Sequence, residues 1–195
     1  MRKWSKMYRK GVESMSRWEL RLSGSGGQGL ILSGIILASA ATKQGKNVIQ
    51  TQSYGPEARG GASKAEVVIS DDEIDYPEVT SPNFLLTLTE EAFYKYKEDI
   101  SSDCKVLVDS QLNVDDSDLS NLDLYTLPFL ETAEKELKRK IVANMVALGA
   151  TVYFTQVVSH DHMKEAISNY VPQGTEELNW EAFQKGYQLA KEKDN

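Results

Sequence analysis

Trp18-Glu19-Leu20-Arg21-Leu22-Ser23-Gly24-Ser25-Gly26-Gly27-Gln28-Gly29-Leu30-Ile31-Leu32-Ser33-Gly34-Ile35-Ile36-Leu37-Ala38-Ser39-Ala40-Ala41 decides the fold. In its first part the apolar Trp18, Leu20 and Leu22 alternate with the charged Glu19 and Arg21. That period of two belongs to a strand. Gly24 to Gly29 then breaks the pattern and matches G-x-G-x-x-G. Leu30 to Ala41 is apolar almost throughout, as in a helix buried on most sides, and Gly34 with Ala38, Ser39, Ala40 and Ala41 lets it approach a sheet closely. Gly45 supplies a stop for this helix, and Asn47-Val48-Ile49-Gln50-Thr51 reads as the next strand. Strand, glycine loop, helix and strand in this order form a Rossmann-like βαβ unit.

Working outward, residues 52–63 form a loop and residues 64–70 a third strand. No crossover helix fits between the second and third strands, so they are expected to be antiparallel. The whole is expected to be a three-layer α/β/α domain with a mixed, mostly parallel sheet. Further strands are predicted at residues 84–88 and 106–109, with a short helix through Lys97 capped by Thr89 between them. Ile141 to Phe154 reads as a second buried helix, although residues 151–154 also suit a strand. Ser159 is placed to cap a helix over 160–170. Trp180, Phe183, Tyr187 and Ala190 stripe one side of the last helix, facing the core or a partner's groove.

The chain has 195 residues and a formal net charge of -7. That length suits one domain over residues 15–195, preceded by a basic extension at 1–14 that is either a disordered start-site extension or a short arm. Residues 1–21 hold seven basic and two acidic side chains, so they net +5 and the remainder nets -12. The acidic balance argues against a nucleic-acid binder. No secretory apolar region follows the basic head, and no run reaches the roughly 18 apolar residues of a membrane span. The single Cys104 excludes an internal disulfide and a cysteine-ligated cluster carried by this chain alone. A cytoplasmic setting fits.

Two segments have the composition of a binding site. Backbone amides at Gly24, Gly26, Gly27, Gln28 and Gly29 would face outward at a helix N-terminus, where an anion is favoured. The same glycines also serve a purely structural turn. A dinucleotide site would further need an acid closing the second strand, but that strand ends Gln50-Thr51-Gln52. The second segment, Ser53-Tyr54-Gly55-Pro56-Glu57-Ala58-Arg59-Gly60-Gly61, is the more unusual. Arg59 is able to clamp a carboxylate or phosphate through two N–H groups, or to pair with Glu57. No nucleophile–base ordering or Walker ending is present, and Asp115-Asp116-Ser117-Asp118 lacks the later residues of a calcium loop. His160 and His162 are two apart and do not share a helical face, so neither a metal nor a catalytic residue is expected.

Taken together, Gly26-Gly27-Gln28-Gly29, the run from Gln52 to Gly61, and Asn144-Met145-Val146-Ala147-Leu148-Gly149 resemble the gamma subunit of 2-oxoacid:ferredoxin oxidoreductases, with spelling nearest the 2-oxoglutarate type. The resemblance covers about residues 18–190. It implies a non-catalytic subunit of a complex that converts a 2-oxoacid and coenzyme A to acyl-CoA, carbon dioxide and reduced ferredoxin. Thiamine diphosphate would belong to alpha and beta partners, and iron–sulfur clusters to beta or a ferredoxin-like delta subunit. Coenzyme A would be a co-substrate of the complex, and this chain would hold no cofactor firmly. The candidate cofactor-binding residues, read from the two loops themselves, are Gly24, Gly26, Gly27, Gln28, Gly29, Tyr54, Glu57 and Arg59. A homodimer of the isolated chain stays open, as does a free-standing nucleotide-binding oxidoreductase using Gly24 to Gly29.

Overall fold

The computed structural model describes residues 17–53, 62–114 and 122–194. Six strands form one sheet: β1 (Arg17–Ser25), β2 (Asn47–Ser53), β3 (Ala62–Ser70), β4 (Phe84–Thr87), β5 (Lys105–Asp109) and β6 (Asp123–Leu127). Their spatial order is β2-β3-β1-β4-β5-β6. β3 is antiparallel to both its neighbours, while β1, β4, β5 and β6 run parallel. The expected antiparallel strand is therefore present. It lies between β1 and β2, so the two strands of the opening βαβ unit are not neighbours.

Alternation sorts the side chains by face. Trp18, Leu20 and Leu22 of β1 join Val67, Ile69, Phe84, Leu86 and Leu107 in the larger core. That core is completed by α1 (Leu30–Lys43), α4 (Ala143–Thr155), α5 (His160–Tyr170) and α6 (Glu176–Lys193). The opposite face is covered by α2 (Glu90–Tyr96), whose Ala92, Phe93 and Tyr96 pack on Leu85, Val106 and Val108. Arg21 and Glu66, paired directly across β1 and β3, fall on this second face. Arg21 Nε donates to Glu66 at 2.8 Å, its guanidinium lies 5.4 Å from the Tyr96 ring, and Lys64 also reaches Glu66 at 2.8 Å. The two cations offset the desolvation of this buried carboxylate.

The helix boundaries follow local chemistry. α1 ends at Gly45 with φ 87°, where Gly45 N–H donates to Thr42 O and Lys46 N–H to Ala41 O. This is the Schellman pattern, for which glycine is favoured. The side chains of Thr89 and Ser159 accept hydrogen bonds from Ala92 N and His162 N at the starts of α2 and α5. Residues 151–154 continue α4 rather than forming a strand. Two features went unforeseen: β6, and the short α3 (Phe129–Glu131) running into a π-helical turn at Thr132–Glu136.

The tightest packing joins α4 to α6. A Cβ built at Gly149 would lie 2.8 Å from Tyr187 N, and one at Gly186 would lie 2.6 Å from the Val146 carbonyl carbon. Only the missing side chains let these backbones cross so closely.

Candidate functional site

β1 delivers its last residues to the carboxyl edge of the parallel strands, the usual site edge of open α/β sheets. There the loop from Gly24 to Gly29 turns the chain into α1. Gln28 folds back across it, accepting from Ser25 N at 2.7 Å through its side-chain oxygen, while Gln28 N donates to Ser25 O at 3.3 Å. This leaves the amides of Gly26, Gly27 and Gly29 outside those two bonds. A Cβ at Gly24 would lie 2.8 Å from Leu30 Cδ1 and closer still to the Gln28 side-chain oxygen, whereas Gly26 and Gly27 face open space. Gly29, at φ 76°, caps α1 with no side-chain hydrogen bond, and the first turn of α1 holds no acid. The positive end of the helix is thus not neutralised by its own sequence.

A remote residue braces this loop. Asn144, in the first turn of α4 and 5% exposed, donates from Nδ2 to Gly29 O at 3.0 Å. Gly29 O also accepts from Ser33 N at 3.0 Å. Clefts of ≈ 180 and ≈ 250 Å³ open beside the loop, and Gly27 and Ile141 line both. The first is walled by Gln28, Leu88, Leu130 and Lys140, the second by Gly29, Leu32, Asn144, Pro172 and Leu178. No local signal marks Lys140, Ile141 or Pro172 as neighbours of the glycine loop, because they sit more than a hundred residues downstream.

Tyr54, Glu57 and Arg59 lie outside the described residues. The anchors of that segment are described, however. Ser53 pairs with Lys64 in the β2–β3 ladder, and Ala62 pairs with Ser25 on β1. The segment therefore leaves and rejoins the sheet at the glycine-loop edge. Asp115 to Asp118 also lie outside the described residues.

This arrangement is suited to holding an anion. Among the described residues no group of three or more His, Cys, Asp or Glu side chains is placed to hold a metal. Cys104 is buried at the opposite, N-terminal end of β5, where burial pushes its thiol up to about 12. A thiol so placed is not a nucleophile near neutral pH. His160 is wedged among Trp180, Phe183 and Tyr187, its ring centroid 4.2 Å from that of Tyr187. It links α5 to α6 rather than a site. The dinucleotide geometry is also broken: β3 separates β2 from β1, which sets the end of β2 two strand spacings, about 10 Å, from the glycine loop.

The family model for pyruvate ferredoxin/flavodoxin oxidoreductase matches residues 19–189. The chain belongs to that family. This gamma-type subunit is 52% identical over 178 residues to the 2-oxoglutarate synthase subunit KorC of Methanocaldococcus jannaschii, covering 90% of this chain and 95% of the relative. The crystal structure of a keto/oxoacid ferredoxin oxidoreductase gamma subunit from Geobacter sulfurreducens PCA superposes with a TM-score of 0.81 at 45% identity, covering 91% of this chain and 98% of that one. The gamma-type subunit also matches part of the 2-oxoglutarate:ferredoxin oxidoreductase of Magnetococcus marinus, solved with 2-oxoglutarate, coenzyme A and succinyl-CoA bound. There the TM-score is 0.82 at 27% identity, over 91% of this chain and 31% of the longer one. No helix among the described residues of the subunit is long and apolar enough to cross a membrane.

Proposed function

We propose that this chain serves as the gamma subunit of a cytoplasmic 2-oxoglutarate:ferredoxin oxidoreductase and contributes binding surface rather than reacting groups. The single observation that carries the reading is the 52% identity to a 2-oxoglutarate synthase subunit across 95% of that relative's length. In the complex, 2-oxoglutarate and coenzyme A become succinyl-CoA and carbon dioxide while ferredoxin is reduced. Thiamine diphosphate would belong to the alpha and beta partners, and the iron–sulfur clusters to beta or a ferredoxin-like delta subunit.

Coenzyme A supplies the thiol that accepts the acyl group. Its phosphates are the anions that the Gly26, Gly27 and Gly29 amides fit, since the loop carries no acid and the start of α1 is uncapped. Asn144 would keep those amides aimed by holding Gly29 O. Glu57 and Arg59, on a segment anchored beside Ser25, would add a charged contact at the same edge.

The test is reconstitution. The chain is produced with its alpha and beta partners, and ferredoxin reduction is followed with coenzyme A and either 2-oxoglutarate, pyruvate or 2-oxoisovalerate. Turnover is expected with 2-oxoglutarate and is expected to be lost when this chain is omitted. Equal turnover without the chain would refute the subunit role, and a preference for pyruvate would refute the substrate. For the loop, Gly26→Asp is expected to raise the KM for coenzyme A more than that for 2-oxoglutarate, because it sets a carboxylate where phosphate binds.

A further inference from the structure

The turn joining the π-helical segment to α4 reads Lys138-Arg139-Lys140-Ile141, and all four residues are exposed. In a chain of net charge -7 this is a local reversal of sign. Nearby cations are committed: Lys135 pairs with Glu131 at 2.8 Å, and Lys185 pairs with Glu136 at 2.5 Å. Lys138, Arg139 and Lys140 make no ion pair with any described residue. Ile141 is 79% exposed, the most of any large hydrophobic side chain among the described residues.

The turn is also held in place. Lys138 adopts φ 55°, in the left-handed region. Arg139 N donates to Ala133 O at 2.9 Å and Val142 N to Arg139 O at 3.1 Å. Three cations and an isoleucine are therefore presented on a fixed backbone. A preorganised surface of this kind loses little entropy when it binds.

We infer that the exposed turn from Lys138 to Ile141 is the surface on which an acidic segment of a partner subunit docks. This rests on the gamma-subunit reading and adds which face meets the partner. The occupant is a stretch of polypeptide that carries Asp or Glu opposite the three cations and an apolar side chain that packs on Ile141. A second copy of this chain does not fit, because a twofold contact here would bring six cations together. A phosphate ligand would answer the cations but leave Ile141 in water, whereas an acidic segment with apolar anchors satisfies both.

The test uses the full chain with its alpha and beta partners. The triple variant Lys138→Glu/Arg139→Glu/Lys140→Glu and the single variant Ile141→Asp are each titrated against the partners at low and high salt. Wild-type affinity is expected to fall as salt rises. The triple variant is expected to bind about tenfold weaker or worse at low salt and to reverse that salt dependence, since three carboxylates facing an acidic segment repel it until salt screens them. Ile141→Asp is expected to weaken binding at every salt concentration. Both variants alone are expected to melt with the wild type, showing that any loss is not misfolding. Wild-type assembly with both variants binding equally well would overturn the docking surface alone. Failure of the wild type to assemble would overturn the subunit reading and the docking surface with it. Normal assembly with loss only of coenzyme A-dependent turnover would reassign the turn to anion binding and overturn the inference.

Discussion

Replacing Gly186 by Ala tests the helix crossing on which the braced loop depends. Two effects oppose each other. Alanine gains about 1 kcal/mol over glycine in a helix interior. Against this, the added Cβ would lie 2.6 Å from the Val146 carbonyl carbon and 2.9 Å from its Cα. Carbon atoms rest at about 3.5–4.0 Å, so α4 and α6 must part by at least roughly 1 Å. The Val146 carbonyl oxygen would be closer still; all three obstacles are backbone atoms, and no rotamer change relieves them. A gap of that size forfeits a quarter to a half of each dispersion well across the interface around Phe183, Ala182 and Val146. Overpacking of this severity costs about 3 kcal/mol, leaving a net loss of about 2 kcal/mol. For a chain of this length that is a fall of roughly 4–8 °C in Tm. The assay is thermal and urea unfolding of the isolated chain, with Gly26→Ala as the control, because a Cβ there meets nothing within 4 Å. An unchanged or raised Tm for Gly186→Ala would refute the claim that glycine is required by the crossing.

Asn144→Ala removes the donor to Gly29 O, but that carbonyl keeps Ser33 N, so the loss in unfolding experiments should be only about 1 kcal/mol. Amide exchange in the glycine loop should quicken more than in the rest of the protein; uniform exchange would deny Asn144 its bracing role. Arg21→Ala should cost about 3 kcal/mol in urea unfolding, since it strips a buried carboxylate of one of its two cations and empties the space beside Tyr96. Lys64→Ala, at the more exposed partner, should cost under about 1 kcal/mol, and equal losses would contradict the burial argument. Cys104 should resist alkylation at pH 8 in the folded chain and react once the chain is unfolded in urea; prompt native labelling would contradict its burial. Its thiol is raised from 9.0 to about 12, so the folded state favours the neutral form. This stabilisation is whole below pH 9 and is lost as pH climbs through 9 towards 12, which alkaline melts of wild type and Cys104→Ala should show as a smaller decline in the variant.

What the sequence reveals depends on how far each signal reaches. The alternation at Trp18, Leu20 and Leu22, the stop at Gly45, and the caps at Thr89 and Ser159 are set within a few residues and are all found in the structure. β6 is harder to read because only Leu127 of its five residues is buried, as befits an edge strand. The π-helical turn at Thr132–Glu136 is spelled with ordinary helix formers, and its geometry is imposed by the connection to α4. The missing crossover between β2 and β3 shows that they run antiparallel, but nothing local shows that β3 inserts beside β1. The site divides in the same way. The glycine loop is legible at once, whereas the Asn144 brace spans 115 residues and exists only after α4 docks. Likewise the stripe on α6 reads as core or groove, and only its fit against Gly149 settles that Phe183 and Ala190 are core.

The insertion of β3 between β1 and β2 also dictates a timetable for biogenesis. β1 is the first described strand to be synthesised, yet the partners of its two edges arrive late: Glu66 is 45 residues beyond Arg21, and Leu86 is 63 beyond Ser23. Until β4 has emerged from the ribosome, the strand destined for the middle of the sheet has at least one edge unsatisfied. β2 and β3, by contrast, can zip together as a hairpin on their own. The slow event is then the capture of β1 by a preformed hairpin across the intervening α1, a non-local pairing that carries an entropic cost before any packing rewards it. During that interval an apolar strand with open edges invites pairing with other chains. Slower synthesis or a chaperone that shields β1 should therefore improve the soluble yield of this subunit more than any change to its surface.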